Sequence, residues 1–113
     1  MIEIYVDGSG KDHIAGLVGK KVFYEKVESL SNMHSEYLAI ERALQMLEKG
    51  SSAVVYSDSK VVVNQLNHKF AINKEHLREV AIRIWNYINE NDLDIEFRWI
   101  PRKMNKAGKI LGS

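Results

Sequence analysis

Ala53-Val54-Val55-Tyr56-Ser57-Asp58 is the run whose reading decides the fold. It is apolar almost throughout and ends on an acid. A near-continuous apolar run, in place of an alternating one, suits a strand covered on both faces. Upstream, residues 35–48 change period: Tyr37, Ile40, Leu44 and Leu47 recur at helical spacing, and Ala39, Ala43 and Met46 widen the stripe. Gly50 is expected to close that helix. Downstream, Val61 to Leu66 reads as a short helix. Lys74 to Asn89 reads as a longer one, with Leu77, Val80, Ala81, Ile84, Trp85 and Ile88 on one side. A last strand spans residues 94–100 and is stopped by Pro101, which cannot donate to a ladder. Residues 104–111 suggest a short final helix.

The N-terminal third is different. Ile2-Glu3-Ile4-Tyr5-Val6-Asp7 alternates apolar and polar residues and is stopped by Gly8-Ser9-Gly10. Residues 13–19 and 21–28 are two further β-like runs, with Gly19-Lys20 placed to turn a hairpin. The order is three strands, helix, strand, two helices, strand, helix. Strands separated by helices imply parallel crossovers, and the opening meander implies an antiparallel part. The expected fold is α/β: a mixed central sheet with helices on its faces, forming one domain over residues 1–113.

Composition agrees. The chain has 113 residues, 45% hydrophobic and 27% charged, so it can bury a core and is not of the disordered class. It has no cysteine, which excludes a disulfide scaffold, a cysteine–zinc site and a thiol nucleophile. No apolar run approaches the ~20 residues of a membrane-spanning helix. Its start has no basic region of the secretory kind, so the expected location is cytoplasmic. Net charge is +1 but unevenly spread. Arg98, Arg102, Lys103, Lys106 and Lys109 lie after the last acid, Glu96. The rest of the chain carries the other 11 of the 16 basic residues against all 15 acids. A basic tail on an acidic body suits contact with a polyanion, or a solvated last helix.

Three acids stand where elements begin or end. Asp7 closes the first strand and Asp58 the fourth. Ligand sites in open α/β sheets lie beyond the carboxyl ends of strands. Glu36 opens the first helix and shares its buried face with Ile40, Ala43 and Leu47, an unusual place for a charge. Packed together, three carboxylates repel, and a divalent cation relieves the penalty. Oxygen-only ligands favour Mg²⁺ or Mn²⁺ over zinc. Each acid also has a plainer reading: Asp58 as the cap of the short helix, Asp7 as a turn residue, Glu36 joined to Ser35 in a cap or reaching solvent.

Four stretches together resemble the ribonuclease H family. These are Tyr5-Val6-Asp7-Gly8-Ser9, the run Ser31 to Ala39 with Asn32 and Glu36, the run Tyr56 to Leu66 with Asp58, and the run Trp99 to Lys106 with Asn105. Their order and spacing cover nearly the whole chain. The stretch Asn67 to Leu77 is too short for the extra basic helix of some members, so the resemblance is to the compact form. It implies a five-stranded mixed sheet in the order 3-2-1-4-5. It also implies a substrate of RNA paired to DNA, with Asp7, Glu36 and Asp58 as catalytic and metal-holding residues in two-metal hydrolysis. By the same resemblance, Gly8, Ser9, Asn32 and Gln65 are candidates for sugar or backbone contacts. Gln65 reads equally as a solvent-facing helix residue. Arg98, Arg102, Lys103 and Lys106 are candidates for phosphate contacts.

The chain departs from that family at one acid. The resemblance places a fourth carboxylate four residues after Asn105, where Lys109 stands. Three accounts are open: an enzyme of three carboxylates with weakened activity, a catalytically inactive module that binds hybrid or structured RNA, or a substitute carboxylate such as the α-carboxylate of Ser113. Lys109 could also point away and touch phosphate. His13, His68 and His76 are too scattered for a metal triad, His34 belongs to the cap region of the first helix and reads as a surface residue, and none adjoins the last strand. Trp85 and Trp99 read as core aromatics. The expectation is a monomeric, metal-dependent endoribonuclease with no membrane partner.

Overall fold

The three opening runs and the two later strands assemble as one sheet. The computed structural model describes residues 1–10 and 12–112. In it β1 (Ile2–Gly8) pairs antiparallel with β2 (His13–Val18), and β2 with β3 (Lys21–Lys26). Parallel pairing then joins β1 to β4 (Ser52–Ser57) and β4 to β5 (Asp94–Trp99). The strand order is 3-2-1-4-5. The β2–β3 turn contains Gly19 at φ +60°, a left-handed conformation that glycine adopts without strain.

Three α-helices accompany the sheet: α1 (Asn32–Gln45), α2 (Lys60–Leu66) and α3 (Glu75–Glu90). Register and alternation put Ile4, Val6, Val18, Phe23 and Val55 on one face. Helix α1 packs on that face and α3 packs on α1. Tyr37, Ile40, Leu44, Leu77, Val80 and Ile84 fill the core between them. Each such side chain, fully buried, contributes roughly 1.5–3 kcal/mol of transfer free energy. The opposite face carries Tyr5, Leu17, Val22, Tyr24 and Tyr56, and the last segment of the chain lies over β1 and β2. None of the helices is long and apolar enough to cross a membrane among the described residues.

Several expectations need correction. Helix α1 begins at Asn32, capped by Ser31, and ends at Gln45 with Met46 as its cap, so Gly50 closes a later turn. The final helix is absent: two short 3-10 turns span Arg102–Met104 and Lys106–Lys109. Asn105 separates them in an extended conformation and caps the second with its side chain. Trp99 is 44% exposed and is not a core residue. Its indole N–H donates to the Asp58 carbonyl at 3.1 Å. Trp85 is partly buried against the core, as expected.

Candidate metal and nucleic-acid site

The parallel pairing of β1 with β4 sets Asp7 and Asp58 side by side at the carboxyl ends of neighbouring strands. Helix α1 crosses this end of the sheet and adds Glu36 from its second turn. One oxygen from each of the three carboxylates lies within 4.8 Å of the others. Asp7 and Glu36 are only 5% and 6% exposed, while Asp58 is half-buried. Together with Gly8, Ser9, Asn32, Met33, Ser59 and Arg102 they line a cavity of about 220 Å³.

The carboxylates are held by donors that the fold brings to them. The Gly8 amide donates to Asp7 Oδ1 and to Glu36 Oε1, both at 3.1 Å. Ser57, on the α1 side of β4, donates its hydroxyl to Glu36 Oε2 at 3.2 Å. The Asn105 amide donates to Asp58 Oδ2 at 3.1 Å and to the Val6 carbonyl at 2.9 Å, and its oxygen accepts from the Ala107 amide at 3.1 Å. These contacts set aside two of the plainer readings, the capping ones. Ser59, not Asp58, caps α2, its hydroxyl accepting from the Val62 amide. Ser31, not Ser35 with Glu36, caps α1. Ser35 instead accepts from the Gly10 amide at 3.2 Å and donates to the Asn32 carbonyl at 2.8 Å.

Glycine at position 8 is what permits this closeness. A Cβ there would lie 2.3 Å from Ser35 Oγ and 2.7 Å from the Ser35 backbone carbon. Strand β1 can therefore bring its end against the start of α1 only without a side chain at that point.

Electrostatically the site is a concentrated negative charge. Burial pushes the Glu36 carboxyl well above the usual glutamate range, and the neighbouring Asp7 pushes it further. Burial also raises Asp7, with the Asp58 charge adding to the rise. The hydrogen bond with Glu36 and the Arg102 guanidinium oppose it. A cation between the three groups would reverse these shifts, because it favours the ionised forms. The donor set, three carboxylates and no nitrogen or sulfur ligand, fits a hard divalent ion such as Mg²⁺ or Mn²⁺.

The remaining candidates divide by location. Gly8, Ser9, Asn32 and Arg102 line the carboxylate cavity. Gln65 does not. It is 6% exposed, accepts from the Tyr37 hydroxyl at 2.7 Å and donates to the Ala71 carbonyl at 3.1 Å, so its amide is occupied in the fold. Lys103 and Lys109, with Arg102, Asn105 and Gly108, line a neighbouring cavity of about 430 Å³. Lys109 is thus not among the residues lining the carboxylate cavity. Arg98 pairs with Glu96, and the Lys106 ammonium lies 5.1 Å from the centre of the Tyr5 ring. Both stand on the open side of the sheet. The Ser113 carboxylate lies outside the described residues. Sequence reading gave Ser57 no role and left Asn105 without one of its own. Strand alternation on β4 points to Ser57, since residues 53, 55 and 57 share the α1 face. Nothing local in the sequence signals the reach of Asn105 to Asp58.

Comparison with known proteins places the fold. The pattern of the Reverse transcriptase-like family matches residues 17–112, a span that includes Glu36, Asp58, Asn105 and Lys109 and begins after Asp7. The crystal structure of LC11-RNase H1 in complex with an RNA/DNA hybrid superposes with a TM-score of 0.83. It is 21% identical, with 96% of this chain and 92% of that one covered. RNase H1 from the halophilic archaeon Halobacterium salinarum gives a TM-score of 0.81 at 20% identity, with 98% and 97% covered. In sequence the chain is 25% identical to EbsB of Enterococcus faecalis, provisionally named a hydrolase, over 98% of this chain and 90% of that protein.

Proposed function

Because the chain belongs to the Reverse transcriptase-like family, whose fold is that of ribonuclease H, we propose that it is a divalent-metal-dependent endonuclease cutting the RNA strand of RNA/DNA hybrids. The observation that carries the reading is the convergence of Asp7, Glu36 and Asp58 from three separate elements into one cavity. A divalent ion bound there would polarise a phosphoryl oxygen and lower the pKa of a bound water. Asp7, Glu36 and Asp58 would hold it. The Gly8 amide, Ser57 and Asn105 fix the orientation of those carboxylates, as partners of metal ligands commonly do. Arg102, at the rim of the same cavity, offers a fixed positive charge to an incoming phosphate. Ser9 and Asn32, which line the cavity with Gly8, would meet sugar or backbone atoms of the strand.

One observation favours a second reading, a nucleic-acid-binding module without catalysis. Only three carboxylates converge among the described residues, and Lys109 stands where the resemblance asks for a fourth. Cleavage of a labelled RNA/DNA hybrid, in Mg²⁺ and separately in Mn²⁺, decides between the two. Cutting that disappears in Asp7→Asn supports the nuclease. No cutting by the unaltered chain, with a gain in Lys109→Asp, supports the binding module.

A further inference from the structure

Three basic residues surround the cavity next to the carboxylates. Arg102, Lys103 and Lys109 line it together with Asn105 and Gly108, and no acid is among the lining residues. The two 3-10 turns carry these cations, and Asn105 between them is pinned by its bonds to Val6, Asp58 and Ala107. The backbone that carries the exposed cations is therefore anchored at Asn105, which is 3% exposed. Like charges gathered around one cavity repel, and an anion relieves that cost. Arg102 borders both this cavity and the carboxylate cavity, so the two adjoin.

We infer that the Arg102–Lys103–Lys109 cavity is a phosphate site, filled by a backbone phosphate of the strand whose neighbouring phosphate lies at the carboxylates. The inference rests on the nucleic-acid reading above and adds a role for Lys109. Arg102 serves both positions. Its planar fork suits phosphate oxygens, while the two lysines supply point charges. On this arrangement the lysine at position 109 contributes to holding the strand, and the segment 102–109 is a clamp beside the carboxylates.

The test separates strand binding from catalysis. A labelled RNA/DNA hybrid is titrated in EDTA by fluorescence anisotropy across a salt series, so that no cleavage occurs. Each phosphate contact contributes close to one unit to the slope of log affinity against log salt. Lys109→Ala and Lys103→Ala are each expected to reduce the slope by about one, whereas Lys20→Ala, in the β2–β3 turn, leaves it unchanged. An unchanged slope in Lys109→Ala overturns the inference. A second arm uses inorganic phosphate and follows the Gly108 and Lys109 amide signals by NMR. Saturable shifts that vanish in Lys109→Ala are expected. If the unaltered chain binds no hybrid in EDTA, the phosphate arm alone decides the site: shifts support it, and their absence overturns it; the proposed function falls only if cleavage in Mg²⁺ and in Mn²⁺ is absent as well.

Discussion

Asn105 donates its side-chain amide to Asp58 at 3.1 Å while holding the Val6 carbonyl of β1 at 2.9 Å. One buried residue near the end of the chain thereby ties the carboxyl end of β1 to the acid that follows β4. It orients Asp58, and it anchors the segment bearing Arg102 and Lys109. Removing it in Asn105→Ala leaves the Val6 carbonyl without that donor and Asp58 free to rotate. Such partners are commonly worth about 10–100-fold in metal affinity. Titration calorimetry with Mn²⁺ should show a loss of that order. Wild-type affinity in the variant would remove Asn105 from the site.

Asp7 is buried beside Glu36 and receives the Gly8 amide. Asp7→Asn keeps the shape and removes one charge. It is expected to abolish both Mn²⁺ binding and hybrid cleavage, while the thermal midpoint of the metal-free protein holds or rises because repulsion with Glu36 and Asp58 is relieved. A falling midpoint would mean that the Asp7 carboxylate stabilises the fold.

The pH dependence follows from the direction of the shifts. Glu36 and Asp7 have raised values in the folded chain, so the folded state binds protons more tightly than the unfolded one. That stabilisation is complete below the ordinary values, 4.5 for Glu36 and 3.8 for Asp7, and is lost as pH rises through the folded values. In EDTA, the melting temperature should therefore fall from mildly acidic toward neutral pH relative to Glu36→Gln. Added Mn²⁺ should restore it at neutral pH. Parallel melting profiles for the two proteins across this range would contradict the shift.

Gly8→Ala tests the approach of β1 to α1. The added methyl meets Ser35 Oγ at 2.3 Å and the Ser35 backbone at 2.7 Å. Overpacking of this kind costs about 1–3 kcal/mol, to be read from the urea midpoint. A stability equal to wild type would show that α1 shifts freely.

Gln65 separates a structural role from a binding one. Tyr37→Phe deletes the hydroxyl that donates to Gln65 Oε1 at 2.7 Å. A buried acceptor left unpaired costs about 1–3 kcal/mol. Stability should fall by this amount while hybrid affinity stays unchanged. A weakened affinity would return Gln65 to the strand interface.

Much of this was legible from residues alone, for a local reason. The apolar run 53–57, the alternation of 2–7 and the helical stripes of Tyr37–Leu44 and Leu77–Ile88 reflect periodicity, which is imposed by backbone geometry within each element. Asp7, Glu36 and Asp58 were recognisable because each interrupts or ends such a pattern, and the sheet order joined them. The final segment reads as a helix but folds as two 3-10 turns. Its conformation is set by Asn105, whose bonds run to β1 and Asp58, and no local periodicity encodes them. Helix position alone leaves Gln65 open between a strand contact and a solvent-facing residue, because it does not reveal a hydroxyl arriving from another helix. The five cations after Glu96 read as one basic tail. Tertiary structure divides them, with Arg102 at the carboxylates, Lys103 and Lys109 in the adjoining cavity, and Arg98 and Lys106 on the open sheet face. The sequence by itself determined the elements, their order and the three acids, because those follow from local pattern. The donors that orient the acids and the partition of the cations were decided by tertiary structure, because each depends on contacts between residues far apart in the chain.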